Sequence, residues 1–247
     1  MNLSFPISES LFPAKVRHAV DEYWHGRISQ ASRQQRRGVR DIGTRSEVTG
    51  GGQLDAFGNI LQEVAWGAGY EPSEVAFRPA LYLPGFYRPQ KRWDLVVFRK
   101  GRIVAAVELK SQAGSFKNNF NNRAEESLGL ARDFWVAYRE NAFGPGAQPW
   151  LGYFFLLEDC VDSARKGTLS ASPFPPFTKF EGTSVQDRYR ILLESMILER
   201  DYSCASLLLS KRPGKTGSAN YTEPFASLGF LRFCKSFFAH LAAHAED

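Results

Sequence analysis

Residues 92–112 read RWDLVVFRKGRIVAAVELKSQ, and this stretch decides the fold. Two runs rich in aliphatic and β-branched residues, Trp93–Phe98 and Ile103–Leu109, flank the polar turn Arg99-Lys100-Gly101-Arg102. Strand-forming runs separated by a short glycine-containing turn predict a β-hairpin. A turn centred on Lys100 and Gly101 puts Asp94 opposite Glu108 or nearly so, which brings two carboxylates within reach of one ion. Side chains two apart on a strand share a face, so Lys110 points the same way as Glu108. Two acids and a lysine therefore converge at one end of strands that are otherwise apolar.

Facing carboxylates repel each other unless a cation sits between them. Hard oxygen donors with no histidine or cysteine nearby in sequence favour Mg²⁺ over zinc. The carbonyl of Leu109, between Glu108 and Lys110, is a further candidate ligand. A Mg²⁺ held there would polarise a phosphoryl oxygen and acidify a water, and Lys110 would orient that water or stabilise charge developing on phosphorus. An E-x-K triplet alone occurs by chance in many proteins. Its weight here comes from the hairpin register, the apolar strands, an acid-bearing helix upstream and basic segments on either side.

Working outward, residues 10–31 carry Val16, Ala19, Val20 and Tyr23 at helical spacing. From Arg33 to Gln53 the chain is rich in Arg, Gly and Gln without an apolar period, which reads as a mobile basic loop ending in a glycine triplet. DAFGNILQEVAWGAGY (55–70) opens with Asp55 at a cap or first-turn position and predicts a helix to about Gly67. A short strand, EVAFRPALYL (74–83), and the turn PGFYRPQK (84–91) lead into the hairpin. Beyond it come an Asn-rich loop (113–123), a helix from about Ala124, and WLGYFFLLED (150–159), whose continuous apolar run suits a strand covered on both faces. A Pro-broken loop (170–182), a helix (187–199), an apolar run (203–211), a Gly-rich polar loop (212–223) and a C-terminal helix (228–246) follow. With no internal repeat and no clear linker, the expected architecture is one α/β domain over 1–247, a mixed central sheet flanked by helices.

Composition sets limits on function. Hydrophobic residues at 43% and aromatics at 14% favour a packed core over disorder. No apolar run approaches membrane-spanning length, and MNLSFPISESLFPAK carries no secretion signal, so a cytoplasmic protein is expected. Cys160, Cys204 and Cys234 are odd in number and far apart, which suggests reduced thiols and neither a zinc knuckle nor a disulfide framework. A net charge of +5 is modest, so the placement of basic residues matters more than their sum. Ser-His-Asp groupings, P-loops and dinucleotide fingerprints are missing from the sequence.

Other positions admit two readings each. Asp55 and Glu63 are two helical turns apart; they either hydrogen-bond water near the site or cap and solvate their helix. Gln112 joins the active face only if its strand continues past Lys110. Arg33, Arg36, Arg37, Arg40 and Arg45 form a solvated face or, in a nuclease, contact phosphates and order on binding. Arg88, Lys91 and Arg92 immediately precede the catalytic strand and are placed to hold DNA backbone. Asn118, Asn119, Asn121, Asn122 and Arg123 offer groups suited to adenine and guanine edges, or else form turns with a helix cap at Asn122. His240 and His244, four apart without a third ligand, read as packing or surface histidines.

The Asp94, Glu108, Lys110 pattern resembles the PD-(D/E)xK nuclease superfamily, with Trp93 in place of the nominal proline. LPGFYRPQKRWDLVVF, VAAVELKSQ and NNFNNRAEESLGLARDFWVAYRE are similar to segments of the XhoI family of type II restriction endonucleases, as are TGGGQLDAF upstream and SPFPPFTKF downstream. The resemblance spans roughly residues 45–210. It implies a homodimeric, Mg²⁺-dependent enzyme that cuts a palindrome in duplex DNA, with CTCGAG the family's site and a DNA methyltransferase as functional companion. By position it makes Asp94, Glu108 and Lys110 the catalytic triad and matches Asp55 to the acid opening the preceding helix. The chain departs from the family in SQAGSFK, one residue shorter and lacking a proline, which leaves the target sequence open but not the chemistry. The alternatives are a repair or structure-specific nuclease of the same superfamily, and a non-catalytic DNA-binding module.

Overall fold

The computed structural model describes residues 4–36, 52–77, 81–169, 173–214 and 217–246. The predicted hairpin forms. Strand β4 (Leu95–Arg99) and strand β5 (Arg102–Gln112) run antiparallel around a two-residue turn. Lys100 and Gly101 both take positive φ, 48° and 77°. Left-handed conformations at both turn residues match the natural twist of the strands, and glycine supplies one of them without steric cost.

The hairpin belongs to a six-stranded mixed sheet in the order β1-β4-β5-β6-β7-β8. Strand β1 (Val75–Phe77) pairs antiparallel with β4, while β6 (Trp150–Glu158) and β7 (Cys204–Lys211) extend the sheet in parallel from β5. Strand β8 (Asn220–Thr222) closes the other edge antiparallel to β7. A separate two-stranded ribbon, β2 (Tyr82–Pro84) with β3 (Gln90–Arg92), precedes β4.

Helices cover both faces. Helices α1 (Phe12–Arg36), α2 (Asp55–Gly67) and α6 (Phe230–Ala243) contribute Val20, Leu61 and Phe233 to one apolar cluster with Val107, Leu109 and Phe154 of the sheet. Helices α3 (Phe116–Arg139) and α5 (Val185–Leu198) contribute Phe134 and Tyr189 to a second cluster with Ala106 and Phe155. A short helix, α4 (Val161–Ala164), follows β6. Strand β6 is buried at every residue but its last, as its unbroken apolar run requires. At its centre a Cβ on Gly152 would lie 2.2 Å from the Trp150 ring and 2.8 Å from Phe233, so only glycine fits there.

The structure corrects four boundaries. Helix α1 continues through Arg36, so the start of the basic loop is helical; residues 37–51 lie outside the described residues. The Asn-rich segment is also helical, since α3 begins at Phe116 and Asn122 is an interior position and no cap. Gly114 and Ser115 take positive φ and reverse the chain after β5. Phe116 is then buried, and Phe120 packs edge-on against Tyr189 at 5.2 Å. Packing of that kind outweighs the weak helix propensity of asparagine. Residues 74–83 supply two strands in different sheets, and the Gly-rich loop holds the edge strand β8. Among the described residues no helix is long and apolar enough to cross a membrane.

Candidate active site

Register is the first determinant of the site. The turn pairs Arg99 with Arg102 and Phe98 with Ile103, but beyond Val97 the pairing shifts by one, to Val97 with Ala105 and Leu95 with Val107. An extra residue on β5 accounts for the shift, the signature of a β-bulge. Continued one step, this register sets Asp94 level with Glu108; without the bulge, Asp94 would meet Val107. The Asp94 carboxylate then accepts a hydrogen bond from the Leu109 backbone N–H at 2.8 Å. In an extended strand a residue's N–H and C=O leave on the same edge. The Leu109 carbonyl is thereby directed to the side on which β4 has ended.

Glu108 is 2% exposed, a buried acid at the end of an apolar strand. Ionic partners make that tolerable. Lys110 Nζ donates to its Oε1, and Lys91 Nζ donates to its Oε2 at 2.8 Å. Burial alone would push the Glu108 carboxyl up, but the attraction of Lys110 and Lys91 holds it below the usual range. For Asp94 burial dominates, reinforced by repulsion from Glu108, and its carboxyl is raised. Burial would lower the Lys110 ammonium; Glu108, Asp94 and Glu126 outweigh this and raise it. Neighbouring acids with opposite shifts, beside a lysine kept charged, are the electrostatic pattern of a reactive centre.

Helix α3 adds a residue that the sequence reading missed. Glu126 lies 3.7 Å from Lys110 Nζ and is ion-paired with Arg123. The i, i+3 spacing of Arg123 and Glu126 was legible on a helix, but nothing in the sequence brought that pair to Lys110. Arg123 and Asn119 are thus half-buried, whereas Asn121 and Asn122 are exposed. The side chains of Arg36 and Asn118, and Arg37 and Arg40 entirely, lie outside the described residues.

Asp55 occupies the first turn of α2, whose buried residues pack on the face of the sheet opposite Glu108. Glu63 is paired with Lys15 of α1 at 2.6 Å. Strand β5 does continue to Gln112, which shares the Glu108 face. Its side chain is buried, donating to the carbonyls of Gly114 and Ser115 and accepting from the Tyr189 hydroxyl. Arg88 donates through Nε to Asp133 at 2.6 Å, and Asp133 also accepts from the backbone N–H groups of Phe86 and Tyr87. Arg92 is exposed, and Lys91 sits inside the charged cluster. His240 bonds the Val104 carbonyl; burial, then His244, lowers its imidazole to about 4, in keeping with a packing role.

Among the described residues no group of three or more His, Cys, Asp or Glu side chains forms a metal cage. Mg²⁺ does not need one, because it keeps several waters and takes one or two carboxylates. Asp94, Glu108 and the Leu109 carbonyl are hard oxygen donors at the open end of β4, a set that fits such an ion.

Comparison with known proteins identifies the family. The family model for restriction endonuclease XhoI matches residues 33–223, which include every residue of the cluster. The chain belongs to the XhoI restriction endonuclease family. It is 40% identical over 212 residues to the type II restriction enzyme BstVI of Geobacillus stearothermophilus, covering 83% of this chain and 94% of that one. It is 42% identical over 187 residues to the type II restriction enzyme XhoI of Xanthomonas vasicola, covering 74% and 75%. The type II restriction enzyme AbrI of Azospirillum brasilense is 40% identical over 157 residues, covering 63% and 70%. No solved structure matches the chain.

Proposed function

We propose that this XhoI-family protein is a Mg²⁺-dependent PD-(D/E)xK endonuclease that cuts both strands of duplex DNA at a short palindrome, CTCGAG or a related site. The observation that carries the reading is the convergence of Asp94, Glu108 and Lys110 where β4 stops and β5 runs on. Asp94, Glu108 and the Leu109 carbonyl would hold the cation. Once bound, it supplies Lewis-acid polarisation of the phosphoryl group. Lys110, kept protonated by Glu108, Asp94 and Glu126, orients the attacking water or stabilises charge developing on phosphorus. Asp55 enters as the acid opening the preceding helix, by its match to the family.

Arg92 and the exposed Asn121 and Asn122 offer donors to DNA beside the cluster, and Arg36, Arg37 and Arg40 are assigned to phosphates. A palindromic target favours a two-fold homodimer, because each protomer then meets an identical half-site. One domain, a cytoplasmic setting and a companion methyltransferase complete the reading.

The test is digestion of a long linear DNA of known sequence with Mg²⁺, followed by mapping of the ends. Discrete fragments ending at one palindrome are expected. Cleavage at branches or ends would indicate a structure-specific nuclease, and binding without cleavage a non-catalytic module. Lys110→Ala should slow cleavage by about 10²–10⁴-fold; a wild-type rate would refute the assignment.

A further inference from the structure

Both oxygens of the Glu108 carboxylate carry an ammonium group, and the two lysines come from different parts of the fold. Lys110, on the same strand, is tied also to Glu126 of α3. Lys91 arrives from the β2–β3 ribbon, outside the main sheet. Its Nζ reaches Glu108 Oε2 at 2.8 Å and the Arg92 carbonyl at 2.6 Å, and lies 4.6 Å from the centre of the buried Trp93 ring. The side chain is 12% exposed, so the contact is largely withdrawn from water.

A carboxylate oxygen that ligates a divalent cation cannot also keep an ammonium group at hydrogen-bond distance without strong repulsion between the two cations. One lysine must move. Lys110 sits two residues from Glu108 on a rigid central strand, whereas Lys91 rides on a two-stranded ribbon. That ribbon's tip presents Phe86 and Tyr87, 51% and 63% exposed, and its last residue, Arg92, is exposed as well. A phosphate near Arg92 would offer Lys91 a second anion.

We propose that Lys91 is a positioning residue that competes with the divalent cation for Glu108 Oε2, and that a DNA phosphate draws it away, so that the cation site is completed when DNA is bound. This rests on the reading of Asp94 and Glu108 as cation ligands. It makes the ribbon a link between substrate engagement and the catalytic centre. The free protein then binds the cation weakly, and the DNA-bound protein binds it tightly.

The test measures Mn²⁺ binding by electron paramagnetic resonance, without cleavage as a readout, for wild type, Lys91→Met, Lys91→Gln and Glu108→Gln. Circular dichroism checks the fold of each. In the absence of DNA, Lys91→Met and Lys91→Gln should bind Mn²⁺ about tenfold more tightly, as expected if Lys91 covers the oxygen in about nine-tenths of molecules. Adding a phosphorothioate duplex should tighten binding in wild type and much less in the two variants. A merely structural lysine would weaken the site when lost. Unchanged or weaker affinity in both Lys91 variants, or an equal gain from DNA in all three proteins, overturns the proposal and leaves the cation site standing if Glu108→Gln loses Mn²⁺. Wild-type Mn²⁺ binding by Glu108→Gln overturns the cation site and the proposal together.

Discussion

The two faces of β5 differ in kind although they differ little in burial. Ala105, Val107 and Leu109 join the hydrocarbon beneath α1, α2 and α6, and Leu109 is 6% exposed. One residue away, Glu108 is 2% exposed on the face beneath α3, yet it is surrounded by Lys110 and Lys91, with Glu126 and Arg123 beyond. The first face asks only for volume and shape. The second asks for pairing, because each buried charge costs several kcal/mol unless compensated. The charged face can exist because β4 begins only at Leu95 and leaves the last part of β5 without a paired strand on that edge. A sheet thus turns from apolar core to paired charge within two residues, where one strand starts late and the other runs on past it.

The largest effect on this comparison should come from the dry face. Phe154 packs on Phe57 at 4.6 Å and Phe230 at 5.1 Å and is wholly buried. Phe154→Ala should cost about 3–5 kcal/mol in urea unfolding, while cleavage per folded molecule stays near wild type. A stable but inactive variant would show that the two faces are not separable.

A smaller loss is expected where polar pairing holds the ribbon. Asp133→Ala removes the acceptor for the Phe86 and Tyr87 N–H groups and for Arg88, a cost of about 1–3 kcal/mol. Burial would raise the Asp133 carboxyl, but hydrogen bonds from Tyr87, Arg88 and Phe86 hold it below its ordinary value. A group depressed in the folded state stabilises fully above its unfolded pKa, and that contribution is lost as pH falls through the folded one. The gap between wild type and Asp133→Ala, followed by thermal unfolding, should therefore close on acidification below the ordinary aspartate range. A gap that widened would reverse the assignment.

The smallest effect is expected at Lys15 and Glu63, an ion pair outside the core with side chains 40% and 38% exposed. Lys15→Ala should change stability by no more than about 0.5 kcal/mol. A loss comparable to that at Asp133 would mean that exposure, the property separating this pair from the Glu108 cluster, is the wrong measure.

What could be read in advance follows the range of the interactions. Lys100-Gly101 between two aliphatic runs announced the hairpin, and the two-residue repeat put Glu108 and Lys110 on one side, since both rules act between near neighbours. The Asn-rich segment misled because asparagine disfavours helices locally, whereas Phe116 and Phe120 are held by the second core cluster and by Tyr189, about 70 residues away. Glu126 lay inside the helix expected from Ala124, but its approach to Lys110 joins two segments that no local rule connects. Lys91 looked like an exposed base ahead of a strand, and nothing near it in sequence revealed Glu108 as its partner.

By itself the sequence determined the strand pair, the face shared by Glu108 and Lys110, the class of fold and the kinship with restriction endonucleases. These depend on spacing along the chain and on similarity carried by runs of residues. Only the tertiary structure decided that a bulge beyond Val97 brings Asp94 level with Glu108, that α3 delivers Glu126 to Lys110, and that Lys91 closes on the same carboxylate. Each of these joins segments whose approach is set by packing of the whole sheet and its helices, where local preference is too weak to choose.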